Sequence, residues 1–231
     1  MFPLKDMLST TQLFIITFVL SAVIAYFVTP LVIKLAYKIG AIDVPKDNRR
    51  VHKKPIPRLG GLAIAVSFFI TLFLFSNVTK EILVLFISLS IIIIMGIIDD
   101  VKGIGAKVKF LIQILAATLV AVFAFRIKFL ANPFEPMHYW FLGNLSIPIT
   151  VFWIVGITNT VNLIDGLDGL AAGISAISSM TLALILFKNG DYFFTLILIA
   201  LIGAILGFLP FNFNPAKIFM GDTGSLFLGF T

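Results

Sequence analysis

Five aspartates lie where hydrophobic segments of this chain end or begin: Asp99, Asp100, Asp165, Asp168 and Asp222. The chain has only eleven acidic residues, so almost half of them sit at such junctions. A carboxylate beside a membrane span is costly to desolvate and is normally kept there for ion, proton or substrate chemistry. Several carboxylates at one depth can bind a hard divalent cation, and Mg²⁺ takes few protein ligands plus substrate phosphates. Flanking lysines and arginines would hold a polyphosphate. The chemistry this pattern suggests is metal-assisted phosphoryl transfer at a membrane surface, with a lipid donor or acceptor.

Each group also has a plainer reading. Asp99-Asp100 closes an apolar run in Gly-Ile-Ile-Asp-Asp-Val-Lys-Gly and could be a solvated helix end beside Lys102. Against that, acids at a helix C-terminus oppose its dipole, and adjacent carboxylates raise one another's proton affinity, which suits a general base or a metal ligand. Asn159, Asn162, Asp165 and Asp168 follow one another at spacing three, which keeps neighbours on one helical face. Asp168 could simply cap the helix that follows, whereas Gly166 beside Asp165 permits close approach of a ligand to the backbone. Asp222, in Phe-Met-Gly-Asp-Thr-Gly-Ser, fits a helix N-cap, and an anion also favours such a terminus. Phe219 is an apolar residue by default, although an aromatic face beside a site can stack on a base. The stretch Asp-Asn-Arg-Arg-Val-His-Lys-Lys-Pro-Ile-Pro-Arg-Leu-Gly-Gly is at least a topology signal, and Arg58 near its end would point a fork of donors at the mouth of a site. Lys107 and Lys109 would either snorkel or neutralise phosphate.

The elements that must position these residues are transmembrane helices. The chain is 60% hydrophobic and 12% charged, against about 25% charged in soluble domains. Full spans are expected at about 11–33, 61–77, 82–98, 110–126, 146–161, 170–187 and 192–209, with an eighth starting near 224. They must be helical, because lipid offers the backbone no partners. The fold class is therefore all-α, a polytopic bundle forming one integral membrane domain over 1–231. Segment 127–144 reads as a loop with an interfacial piece around Tyr139 and Trp140. The first span is too long for a signal peptide, and its positive charges follow it. Alternation puts twelve of the seventeen Lys and Arg in segments 34–58, 99–109, 162–169 and 210–222, which makes that face cytoplasmic and the N-terminus external. All five aspartates then share the cytoplasmic edge. The net charge of +6 reflects this topology and implies no nucleic-acid partner. Cysteine is absent, and His52 and His138 alone do not make a zinc site. No Walker-type loop occurs. A carrier would want acids near mid-bilayer on broken helices, and a passive scaffold would leave the aspartate strings without purpose. The chain stops at Thr231, a few residues into the eighth span, so it is expected to be a fragment of a longer protein.

Pro57-Arg58-Leu-Gly-Gly, Asp99-Asp100, Asn162-x-x-Asp165-Gly-Leu-Asp168-Gly-Leu and Phe219-Met-Gly-Asp222-Thr-Gly-Ser, in that order, resemble the polyprenyl-phosphate N-acetylhexosamine-1-phosphate transferases. The first-loop string looks like the GlcNAc-1-phosphate branch, while the related phospho-MurNAc-pentapeptide transferases have a Thr-Pro-Thr-Met-Gly-Gly-like ending there. The resemblance implies UDP-GlcNAc as donor, undecaprenyl phosphate as acceptor, UMP as a product, and a plasma-membrane enzyme acting at the cytoplasmic face in polysaccharide or teichoic acid assembly. It implies that Asp99 or Asp100 deprotonates or positions the lipid phosphate and that Asp222 binds Mg²⁺, with Mn²⁺ as the substitute. Asn162, Asp165, Asp168 and Asn212 would line the nucleotide pocket with Phe219 against the uracil, and Lys109 or Lys107 would assist phosphate. One-step and two-step transfer are both compatible with these roles, as is a homodimer. The family's His-rich loop falls beyond Thr231, so weak or no catalysis is expected of this length alone. The peptidoglycan enzymes carry a lysine where Gly103 stands here.

Overall fold

A computed structural model describes residues 8–45, 54–132, 134–135 and 138–231. Lys46, Arg49, Arg50, His52 and Lys53 of the basic loop lie outside them. The described chain is a helical membrane bundle: α1 (Thr10–Ile39), α2 (Gly61–Phe75), α3 (Lys80–Lys102), α4 (Ala106–Phe123), α5 (Ser146–Ile164), α6 (Leu170–Lys188), α7 (Tyr192–Asn212) and α8 (Gly221–Phe230). Two small antiparallel hairpins accompany them. β1 (Ile42–Asp43) pairs with β2 (Ile56–Pro57) in the first loop. The stretch expected as a loop with an interfacial piece folds as β3 (Phe129–Ala131) against β4 (Tyr139–Phe141).

Local signals start and stop the helices. Ser9 and Gln12 form a reciprocal capping box on α1, which runs to Gly40 in the left-handed conformation. Thr79 and Asp191 cap α3 and α7 through their side chains. Among the described residues, six helices are long and apolar enough to cross a membrane. The second expected span is the shorter one. α2 has 15 residues, about 22 Å of rise, because Ser76 turns extended and its hydroxyl donates to the Leu72 carbonyl at 2.6 Å.

Large apolar side chains such as Phe27, Phe73 and Phe152 face outward, as lipid requires, while small and polar residues lie between helices. Ser21 of α1 bonds Ser67 of α2 at 3.0 Å and donates to the Ala200 carbonyl of α7 at 2.6 Å. At the centre stands α8, packed on α2, α3 and α5. A Cβ on Gly61 would fall 2.0 Å from the Gly224 Cα, and one on Gly96 would fall 2.5 Å from the Thr223 Cα. Backbone-to-backbone approach this close lets α8 start deep in the bundle, directly beside the end of α3.

Candidate functional site

The junction of α3, α4, α5 and α8 gathers the charges. Lys109, in the first turn of α4, donates from Nζ to Asp99 Oδ2 at 2.9 Å and to Asp222 Oδ2 at 2.6 Å. Asp99 also accepts the Ile104 amide at 2.6 Å on Oδ1, so the bend between α3 and α4 closes on its own carboxylate. Asn162, in the last turn of α5, donates to Asp222 Oδ1 at 3.2 Å and to Ser225 Oγ at 2.8 Å. Asp99, Lys109, Asn162 and Asp222, drawn from four helices, thus form one cluster of two carboxylates, an ammonium and an amide. Below it, Asn159 donates to Gln113 Oε1 at 2.6 Å, joining α5 to α4 one turn further into the membrane.

Asp100 faces elsewhere. Its carboxylate accepts the Asp222 and Thr223 amides, each at 3.0 Å, and the Thr223 hydroxyl at 2.6 Å. The dipole objection to an acid at the end of α3 is answered here, because this carboxylate lies at the N-terminus of α8, where negative charge is favoured. Arg58 donates from Nε and Nη2 to the Asp100 main-chain carbonyl at 3.1 and 3.0 Å, so its fork is engaged by the end of α3. Arg58 also forms a parallel bridge with Phe219, which anchors the α7–α8 connection on the first loop.

A cleft of about 620 Å³ opens beside this junction, lined among others by Arg58, Asp165, Asp168, Asn212, Phe219 and Asp222. Asp165 caps the end of α5, outside the membrane-spanning helices. Burial, reinforced by the negative charges of Asp222 and Asp100, pushes its carboxyl up to about 7. α5 ends at Ile164, so Asp165 and Asp168 lie in the following turn and not on the helical face with Asn159 and Asn162. Asp168 does not cap α6. Gly169 takes the cap position with φ 72°, and Asp168 accepts from Asn214 Nδ2 at 3.2 Å and the Ala216 amide at 3.0 Å, tying down the α7–α8 connection. Asn212 is buried, donates to the Ile218 carbonyl at 3.0 Å and accepts the Gly169 amide at 3.2 Å. Asp222 does not cap α8 either. It lies inside the first turn, with its side chain turned to Lys109. Lys107 is exposed on α4 and outside the cluster, and His138 lies in the β3–β4 hairpin, beyond the far end of α4.

Thr223, Ser225 and Gln113 do not stand out from the sequence alone. The first two follow Asp222 within the Thr-Gly-Ser string. Gln113 is one helical turn beyond Lys109, a polar residue in an apolar run, and that periodicity was the available signal. A second cavity, a groove of about 650 Å³ between α4 and α5, is lined by Phe110, Ile114, Val151, Phe152 and Val155 and ends at Asn159.

The family described as glycosyl transferase family 4 matches residues 82–231. A Bacillus subtilis (strain 168) protein named "Probable undecaprenyl-phosphate N-acetylglucosaminyl 1-phosphate transferase" is 45% identical over 94% of this chain and 60% of its own length. A phospho-N-acetylmuramoyl-pentapeptide-transferase of Wolbachia pipientis wMel is 38% identical over 96% of this chain and 72% of its own length. A decaprenyl-phosphate N-acetylglucosaminephosphotransferase of Mycobacterium leprae (strain TN) is 36% identical over 90% of the chain and 57% of its own length. The chain thus spans a little under two thirds of the two GlcNAc-directed relatives.

Proposed function

This chain belongs to glycosyl transferase family 4, and from that premise we propose that it carries the site of an enzyme transferring GlcNAc-1-phosphate from UDP-GlcNAc to undecaprenyl phosphate, with release of UMP. The observation that carries the reading is the position of Lys109. Its ammonium bonds Asp222, which lines the polar cleft, and its chain neighbour Phe110 lines the apolar groove between α4 and α5. A nucleotide-sugar suits the first and an isoprenoid chain the second, so the two phosphates would meet at that ammonium.

Among the described residues no three Asp, Glu or His side chains come together as a ready-made metal cage. That suits Mg²⁺, which commonly takes one or two carboxylates and completes its shell with substrate phosphates and water. Asp222, with its side chain 27% exposed, is the carboxylate that would hold it, beside the Asn162 amide. When bound, the ion would neutralise charge on the pyrophosphate and on the departing UMP. Lys109 would bind and orient the lipid phosphate, and Asp99, which shares that lysine, would accept the proton if the phosphate arrives as the monoanion. An oxygen of the lipid phosphate then bonds to the sugar-linked phosphorus while the bond to the UMP oxygen breaks. In the donor cleft, Phe219 would face the uracil and Asp165 the sugar or ribose hydroxyls. Asp168 and Asn212 hold the walls. The site would face the cytoplasm, where nucleotide-sugars are available.

The test is UMP release from UDP-GlcNAc by this sequence within a protein of its relatives' full length, in bilayers containing undecaprenyl phosphate, with and without Mg²⁺. Release that requires both lipid and metal is expected. Release from UDP-MurNAc-pentapeptide but not from UDP-GlcNAc would replace the donor assignment with that of the Wolbachia relative, and release without lipid would refute the transfer reading.

A further inference from the structure

Asp99 and Asp100 are neighbours in sequence and both belong to the last turn of α3, yet they are unequally available. A step of one residue rotates a side chain by about 100° around a helix. That rotation takes Asp100 away from Lys109 and onto the start of α8. Its side chain is 2% exposed, against 11% for Asp99 and 27% for Asp222. Oδ2 accepts two donors from Thr223, Oδ1 accepts the Asp222 amide, and Arg58 Nε stands 4.0 Å from Oδ1. The first turn of α8 has no cap of its own, since Met220 occupies the cap position without a side-chain bond. Gly221 has φ 71°, and a Cβ there would fall 2.6 Å from both Asp100 Oδ2 and the Arg58 carbonyl. The backbone of α8 is therefore pressed against this carboxylate.

We propose that Asp100 is a positioning residue, a helix cap supplied to α8 by α3, which aims Asp222 at Lys109 and the cleft and takes no part in proton or phosphoryl transfer. Arg58 completes the device by holding the Asp100 carbonyl, which couples the first loop to the same point. The proposal rests on the functional reading above only for the role of Asp222. The cap itself is independent of it.

Three variants in the bilayer-embedded protein separate positioning from reaction. Asp100→Asn keeps one oxygen for the Asp222 amide and turns its NH2 towards Thr223, whose hydroxyl can accept from it while the Thr223 amide loses its acceptor. Asp100→Ala removes the cap, and Asp99→Asn leaves it intact. Amide hydrogen exchange over 221–224 reads the cap directly. Asp100→Ala should accelerate it by about tenfold or more and Asp100→Asn less, chiefly at Thr223, while Asp99→Asn stays within about threefold of the parent. Transfer rate should fall within about tenfold in Asp100→Asn, with a pH profile parallel to the parent's, and far more in Asp99→Asn. Unchanged exchange in Asp100→Ala overturns the proposal. So does an Asp100→Asn protein as inactive as Asp99→Asn with its 221–224 amides still protected. If Asp100→Ala does not accumulate, Asp100→Asn and Asp99→Asn decide by the same criteria. A parent of its relatives' full length without transfer activity would sink the functional reading while the exchange results still judged the cap.

Discussion

Lys109 holds two carboxylates at once, and replacing it with methionine isolates what that ammonium does. The substitution keeps most of the apolar stem and removes the charge. Asp99 and Asp222, now bridged at 2.9 and 2.6 Å, would be left as two negative groups with no cation between them. Removing one partner from a buried ion pair costs about 3–5 kcal/mol. Here the lysine side chain is 23% exposed, so water screens part of the loss and about 3 kcal/mol is the expected value. In a chain of 231 residues each kcal/mol moves the midpoint by about 2–4 °C, which gives a fall of about 6–12 °C in thermal unfolding. The variant should also respond to Mg²⁺ differently. In the parent a divalent ion must displace Lys109 from Asp222, so millimolar Mg²⁺ should raise the midpoint little. In Lys109→Met the unpaired carboxylates are open to the ion, and the midpoint should recover by several degrees through mass action. Unfolding followed by fluorescence in lipid nanodiscs reads both effects. A Lys109→Met protein melting within about 2 °C of the parent and indifferent to Mg²⁺ would refute the idea that this lysine is the counter-cation of the site.

Gly61→Ala should destabilise by about 1–3 kcal/mol or more and lower activity in parallel, because the new Cβ meets the Gly224 Cα at 2.0 Å and must push α8 from its seat; unfolding midpoints and transfer rates measured together check this. The raised Asp165 carboxyl makes folding take up a proton that the unfolded chain releases near pH 4. Its stabilising contribution is therefore full below about 4 and lost as pH rises through about 7, and Asp165→Asn should flatten the fall in melting temperature between pH 5 and 8. Mg²⁺ affinity of the parent, read by calorimetry, should rise over the same interval as that proton leaves, and an affinity independent of pH would contradict the electrostatic coupling of Asp165 to Asp222. Asn212→Ala should cost about 1–3 kcal/mol by orphaning the Ile218 carbonyl and the Gly169 amide, with a raised KM for the donor as the cleft wall loosens.

Hydropathy outlines most of this bundle because lipid leaves the backbone no alternative to internal bonding. The expected 170–187 and 192–209 fall within one to three residues of α6 and α7. Where the chain leaves lipid, the same rule is silent, and the β3–β4 hairpin could not be told from a loop. The length of α2 turned on a hydroxyl at Ser76, a local bond that no hydropathy window registers. The site divides in the same way. That acids, a lysine and an asparagine gather at one end of the bundle follows from their places at helix ends. Which acid does what depends on contacts between distant helices. Asp168 and Asp222 both precede apolar runs and read as caps, yet Asp168 secures residues 214–216 and Asp222 meets Lys109, while the cap of α8 comes from Asp100, 122 residues earlier.

The chain order of these contacts has a bearing on biogenesis. The Asp99–Lys109 pair lies within the α3–α4 hairpin, so those two charges can neutralise each other as soon as both helices are synthesised. Asp222 joins the same lysine only 113 residues later. At ordinary elongation speed that interval is on the order of ten seconds. Throughout it the Asp222 and Thr223 amides that Asp100 accepts are not yet made, and the seat of α8 is unfilled. The insertion machinery thus handles a nascent protein whose interior carboxylate is bare until α8 slides between helices already in the bilayer. Variants that delay α8 would lengthen that window, in which Asp100 stands at the membrane edge without the partners it later acquires.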